Sequence, residues 1–155
     1  MTQEEKTVEM VMSKKVMAIE PNTSAMECAK AMSKRGVSCA VITQGDSAVG
    51  IVTERDLVSK VLAESIDAKN VQVRDIMSTP LITVPPDAPL TGASELMARY
   101  RIRRLVVVDE DGALVGLITT GDIARSLAEK QGYREATLNA MARYTEGGLE
   151  NGPYQ

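Results

Sequence analysis

Apolar positions along this chain switch between strand-like runs and helix-like stripes, and the same order of switches occurs twice. In the second half, residues 81–84 read as a short strand closed by Pro85 and Pro86. Residues 87–100 follow with apolar side chains at Leu90, Ala93, Leu96 and Met97, one stripe of a helix. The unbroken run Leu105, Val106, Val107, Val108 predicts a strand buried on both faces. A turn at 109–112 then brings a partner strand at 114–118, and a last helix begins near Thr119 and runs to about Lys130. The first half predicts strand 16–19, helix 24–35, strand 39–43, turn 44–47, strand 49–52 and helix 54–63. Each half is a β-α-β-β-α unit, and 64–72 reads as the linker between them.

The two units are also alike residue by residue. Val8 pairs with Val73, Met12 with Met77, Ser13 with Ser78, Pro21 with Pro86 and Met32 with Met97, each at a shift of about 65 positions. The shift grows by one in the turn before Gly50 and Gly116, so that Thr53 pairs with Thr119 and Asp56 with Asp122. A unit this small cannot bury its own apolar face, so two copies are expected to pack on each other with pseudo-twofold symmetry. The expected fold is α+β, with one repeat over residues 8–63, a second over 73–130 and an extension over 131–155. Within the extension, 133–144 is weakly amphipathic through Ala136, Leu138, Ala140 and Met141, while the chain before about Thr7 and after about Gly147 is expected to fray.

Composition narrows the function classes. Phe, Trp and His are absent, so Met, Val, Ile, Leu and Ala must fill the interior. A net charge of −3 and so few rings exclude a broad basic surface or a stacking platform for nucleic acid. No segment nears the roughly 18 uninterrupted apolar residues of a membrane span. The N-terminus lacks signal-peptide character, so a cytoplasmic protein is expected. Cys28 and Cys39 have no zinc spacing and read as small buried apolar residues, and no metal is expected.

Two constellations carry chemistry. Thr53-x-x-Asp56 and Thr119-x-x-Asp122 each stand where a strand turns into a helix. Thr followed three residues later by an acid is the capping-box pattern, although Asp is shorter than the usual Glu or Gln. The alternative is a site at the inter-repeat junction, where a carboxylate accepts the two hydroxyls of a ribose and the Thr hydroxyl and helix N–H groups suit a phosphate. The second constellation is Arg99, Arg101, Arg103 and Arg104. Arg99 and Arg101 are accounted for by the helix dipole. Arg103 and Arg104 abut a buried strand and suit bidentate phosphate recognition, and their first-repeat equivalents, Ser38 and Cys39, carry no charge.

These motifs, in this order, resemble a cystathionine-β-synthase (CBS) domain. The resemblance rests on Val73–Ser78, the Thr83-Val84-Pro85 strand end, Arg103–Asp109 and the run from Gly116 through Thr119 and Asp122 to Ile123; Met12-Ser13 and Gly50–Leu57 match more loosely. Val106 and Val41 stand where many family members carry Pro, a change of local strand geometry only. A tandem pair resembles the Bateman module, a non-catalytic sensor that binds adenosine-containing ligands in clefts between its repeats. The resemblance implies a nucleotide cleft of Ile51, Thr53 and Asp56 with Leu81, Ile82, Ile102, Arg103 and Arg104, the apolar members sandwiching an adenine. It implies a second cleft of Thr119, Gly121 and Asp122 with Val16, Met17, Val37 and Ser38. The expected ligand is AMP, ADP or ATP, with S-adenosylmethionine or methylthioadenosine, or a ligand-free assembly module, as alternatives.

Catalysis is not expected, nor a catalytic cofactor. Without His there is no Ser-His-Asp or Cys-His unit, no phosphate loop of the Gly-x-x-x-x-Gly-Lys kind is present, and symmetry separates the two aspartates. No effector domain is expected in the chain, so output is expected to pass through a partner of unknown identity or through self-assembly. Met- and Ala-rich helices carry more apolar surface than one small core uses, so a homodimer is expected.

Overall fold

The computed structural model describes residues 4–130. The expected helix at 133–144 and the expected fraying after Gly147 lie outside the described residues. Each repeat forms a three-stranded sheet. In the first, β1 (Ala18–Ile19) lies parallel to β2 (Cys39–Gln44), which pairs antiparallel with β3 (Ser47–Thr53). In the second, β4 (Thr83–Val84), β5 (Arg104–Val108) and β6 (Leu114–Thr119) repeat that arrangement. Both first strands are two residues long, shorter than expected, because parallel pairing with the central strand begins only at Ala18 opposite Val41 and Thr83 opposite Val106.

The long helices follow their apolar stripes. α2 (Ala25–Arg35) starts at Ser24, whose hydroxyl accepts the Glu27 N–H at 3.1 Å, and ends at Gly36 in the left-handed region. α5 (Leu90–Tyr100) begins three residues later than its pattern predicts, because Pro89 restrains the residue before it from helical geometry. The helix predicted over 54–63 is α-helical only as α3 (Glu54–Leu57) and continues as a π-helical turn over Val58–Leu62, whereas its counterpart α6 (Thr120–Lys130) is α-helical throughout.

Two short helices were not expected, α1 (Val8–Val11) and α4 (Val73–Ile76); four residues are too few to show a period. They decide how the halves interlock. Val8 is fully buried, yet in the second core, among Val84, Leu90, Leu105 and Ile118. Val73 and Ile76 are buried in the first core, beside Met17, Cys28, Ile42 and Val52. Backbone bonds lock the exchange: Ser13 N–H donates to Leu117 O at 2.9 Å, and Ser78 N–H to Ile51 O at 2.8 Å. Burying one such Val is worth about 1.5–3 kcal/mol, so each repeat's lead-in helix is a structural part of the other repeat's core.

Two glycines make room for the exchange. A Cβ on Gly50 would overlap the Met77 side chain, and one on Gly116 would overlap the Met12 side chain and meet Ser13 O at 3.0 Å. The hairpin tips also touch across the pseudo-twofold axis, where Ala48 N–H donates to Gly112 O and Leu114 N–H to Asp46 O. Among the described residues ahead of Thr7, Glu5 and Lys6 are tied down, against expectation: Lys6 O accepts the Leu90 N–H at 3.1 Å and Glu5 Oε1 the Thr91 N–H at 2.9 Å.

Candidate functional site

Because each lead-in helix crosses to the opposite core, the chain emerging from α4 runs beside β3 of the first repeat, with Ser78 bridged to Ile51. A cavity of about 530 Å³ opens along this seam, a size within the range typical of small-molecule sites. Its wall includes Ile51 and Thr53 from β3, Leu81 and Ile82 from the chain before β4, and Ile102, Arg103 and Arg104 at the start of β5. Seven of the eight residues expected in the first cleft are therefore together. Ile51, Leu81, Ile82 and Ile102 are half-buried, apolar side chains turned toward an open space.

The eighth, Asp56, is not on that wall. Its carboxylate is 7% exposed and engaged on both oxygens. Oδ2 accepts the Thr53 backbone N–H at 2.8 Å and the Thr53 hydroxyl at 3.1 Å, while Asp56 N–H donates to Thr53 Oγ1 at 3.3 Å. Oδ1 accepts from Lys60 Nζ at 2.9 Å and lies 3.5 Å from the Ser78 hydroxyl. Lys60 donates in turn to Ile76 O at 2.8 Å, which ties the carboxylate to the end of α4. The second repeat builds the same box: Thr119 N–H reaches Asp122 Oδ2 at 2.8 Å, and Asp122 N–H reaches Thr119 Oγ1 at 3.2 Å. There Arg125 takes the place of Lys60, donating to Asp122 Oδ1 at 2.8 Å. Short as Asp is, it closes a capping box in both repeats.

The residues expected in the second cleft do not converge in the same way. Met17 is buried in the first core. Ser38 lies instead on the wall of the first cavity, its hydroxyl accepting from Arg104 Nη2 at 3.4 Å. Asp122 lines a separate hollow of about 200 Å³ with Lys6, Met10 and Arg125. Val16, Val37, Thr119 and Gly121 are half-buried, and Val37 packs against the first core.

Two arginines are among the wall residues that were not expected. Arg101 was assigned to the helix dipole, yet it lines the cavity, and it does so from an unusual backbone, φ 54° and ψ 43°, as the residue ending α5. Its counterpart Gly36 has the same conformation at φ 64°. For Arg this geometry costs about 1–2 kcal/mol relative to the right-handed region. Arg55, on the first turn of α3, lines the cavity as well, with Glu54 beside it. The available sequence signal was the symmetry itself, since Arg101 and Arg55 correspond to Gly36 and Gly121.

Both cysteines are free and buried. Burial pushes the Cys28 thiol up to about 11, and Cys28 Sγ packs 3.8 Å from Met32 Sδ. Cys39 is also raised, first by burial and then by Glu54, with Arg104 opposing. Both thiols stay protonated and inert near neutrality. Among the described residues no His, Cys, Asp or Glu cluster suits a metal ion, and no helix is long and apolar enough to cross a membrane.

Comparison with known proteins agrees with the paired fold. The CBS domain model matches residues 8–63 and 73–129. The chain is 31% identical to the CBS domain-containing protein YhcV of Bacillus subtilis, over 86% of this chain and 94% of that protein. It is 41% identical to the uncharacterized protein MK0525 of Methanopyrus kandleri over 70% of this chain, and there it spans about half of the relative, 56%. Among solved structures, the CBS domain pair of protein MJ0100 in complex with 5′-methylthioadenosine and S-adenosyl-L-methionine is similar with a TM-score of 0.73 and 30% identity, covering 82% of this chain and 99% of that one. With two matched repeats, two three-stranded sheets and reciprocal exchange of their lead-in helices, the chain belongs to the CBS domain family, as a tandem pair.

Proposed function

We propose that this CBS pair is a non-catalytic regulatory module of the cytoplasm that binds an adenine nucleotide (AMP, ADP or ATP) in the cavity between its repeats. The observation that carries the reading is the composition of one wall: four aliphatic side chains, Ile51, Leu81, Ile82 and Ile102, beside the guanidinium groups of Arg103 and Arg104. A flat base needs apolar surfaces and backbone polar groups, and a phosphate needs a cationic fork. Arg103 and Arg104 take the phosphate, and the aliphatic set takes the base. Asp56 serves the ribose only if a hydroxyl displaces Lys60 from Oδ1, since Oδ2 is held by the cap.

A second reading is favoured by one observation, the methylthioadenosine and S-adenosylmethionine bound to the pair of protein MJ0100. Charge separates the two readings. S-adenosylmethionine is a net cation, its sulfonium and ammonium outweighing one carboxylate, which the arginines of this wall disfavour, whereas methylthioadenosine is neutral at the corresponding end.

The test is thermal unfolding of the full chain with each of the five ligands, followed by calorimetry. A ligand at about 100 times its dissociation constant adds about 2.7 kcal/mol, a rise of roughly 5–10 °C for a chain of this size. AMP, ADP or ATP is expected to give that rise. A rise with methylthioadenosine or S-adenosylmethionine alone moves the assignment to the second reading, and no rise with any of them leaves an assembly module. We propose further that the module is a homodimer, because Leu62 at 75% and Met10 at 68% exposed, with Val58 and Leu127, leave apolar helix surface uncovered. Sedimentation at the mass of a single 16.7 kDa chain refutes that arrangement.

A further inference from the structure

The cavity wall holds more positive charge than a single phosphate uses. Arg55, Arg101, Arg103 and Arg104 all line it, against the one carboxylate on the same wall, Glu54. Across the pseudo-twofold axis the corresponding residues are Gly121, Gly36, Ser38 and Cys39, none of them charged. Among the described residues the ion pairs are made by Lys6, Lys60 and Arg125, not by these four arginines. Arg104 has a neutral partner, the Ser38 hydroxyl. The four also come from both repeats. Arg103 and Arg104 lead into β5, Arg101 ends α5, and Arg55 stands on α3 of the first repeat, across the seam.

Arg101 is the telling member. Its backbone N–H closes α5 on Met97 O, the task that Gly36 performs on Met32 O in the first repeat. That left-handed position favours Gly. The side chain is exposed and forms no ion pair among the described residues, so no such pair there offsets the strained backbone. What it does reach is the cavity.

Taking the adenine-nucleotide reading as given, we infer that Arg55 and Arg101 form a second anion subsite that holds the phosphates beyond the first, so that the site selects a nucleoside di- or triphosphate over the monophosphate. Each added phosphoryl group brings further negative charge and acceptor oxygens, and a guanidinium fork meets them in pairs. Arg103 and Arg104 hold the phosphate next to the ribose. Arg55 and Arg101, arriving from opposite repeats, close on the distal end and draw the two halves of the seam together.

The experiment is calorimetry of the full-length protein, without added metal, against adenosine, AMP, ADP, ATP and inorganic tripolyphosphate, in wild type, Arg101→Gly and Arg55→Gln. Glycine suits the backbone at 101, so that variant keeps the fold. Wild type is expected to bind ATP at least about tenfold tighter than AMP, from one or two charge-assisted contacts. Each variant is expected to shrink the ATP-to-AMP affinity ratio toward one and to lose tripolyphosphate binding. Equal affinity of wild type for AMP and ATP overturns the subsite while leaving the adenine reading intact. So does a variant that loses ATP and AMP affinity in equal proportion. Tripolyphosphate bound by wild type and lost in Arg101→Gly, with adenosine and AMP unbound, keeps the anion subsite and overturns the adenine reading instead. Failure of wild type to bind every probe overturns both.

Discussion

Ser38 and Arg103 occupy the same place in the two repeats: each carbonyl accepts the first helical N–H after its hairpin, from Glu54 at 3.1 Å and from Thr120 at 2.9 Å. The backbone does not distinguish the halves there, and the side chains do. The same holds at Gly36 against Arg101, which share a left-handed φ, and at Gly121 against Arg55. The exchanged helices, the capping boxes and the glycine notches under Met77 and Met12 are likewise present in both copies. The exchange that holds the fold is thus symmetric, and the asymmetry of charge gathers on one cavity wall. A repeat protein can change one of its paired sites without disturbing the other, because cleft side chains project from a backbone stabilised elsewhere.

That contrast is open to test, and the largest effect is expected where the halves differ most. Arg103→Ala combined with Arg104→Ala removes the charged partners proposed for the nearest phosphate, at about 1.5–3 kcal/mol each. AMP affinity is expected to fall at least about a hundredfold in calorimetry, with adenosine affinity little changed. Equal losses for adenosine and AMP put the arginines away from the phosphate.

The next effect probes what the halves share. Gly116→Ala sets a methyl group against both the Met12 side chain and Ser13 O, a backbone atom that cannot turn aside. Gly50→Ala meets only the side chain of Met77 among its nearest neighbours. Denaturant unfolding is expected to show about 2–3 kcal/mol lost at 116 and about 1 kcal/mol at 50. Equal losses indicate that the two exchanged segments yield alike.

Smaller still is the change at the aspartates. Asp56→Asn keeps the shape but weakens the box and the bond from Lys60, a loss of about 1–2 kcal/mol. Asp122 is less buried and leans on Arg125 in the same way, so Asp122→Asn is expected to cost less. A normal stability for Asp56→Asn together with lost AMP binding assigns that carboxylate to the ribose and not to the cap. The least change is expected at the helix ends. Arg101→Gly relieves a strained backbone but loosens the unfolded chain, leaving stability within about 1 kcal/mol of wild type, whereas Gly36→Ala strains a position that was free and costs about 1 kcal/mol. A large loss of stability in Arg101→Gly gives the side chain a structural role instead.

The features legible in the sequence share one property: their signal is local or repeated. The stripe of α5, the buried run of β5 and the turn at Gly112 each depend on neighbours a few positions away. The features without a sequence signal depend on groups that only folding brings together. Lys60 carried no motif, and only folding sets its ammonium between Asp56 and Ile76 O. Arg101 satisfied a helix-dipole explanation, and that explanation was sufficient until the end of α5 proved to border the cavity.

By itself the sequence determined that one β-α-β-β-α unit is used twice, that the interior is aliphatic, and that positive charge is unequal between the copies, because periodicity, composition and internal comparison need no knowledge of distance. Tertiary structure alone decided that α1 closes the second core and α4 the first, that both aspartates are engaged in caps, and that Arg55 joins Arg101 across the seam. The physical reason is that partners far apart along the chain meet only once two incomplete cores close on each other, and the direction in which each side chain then points is set by that closure.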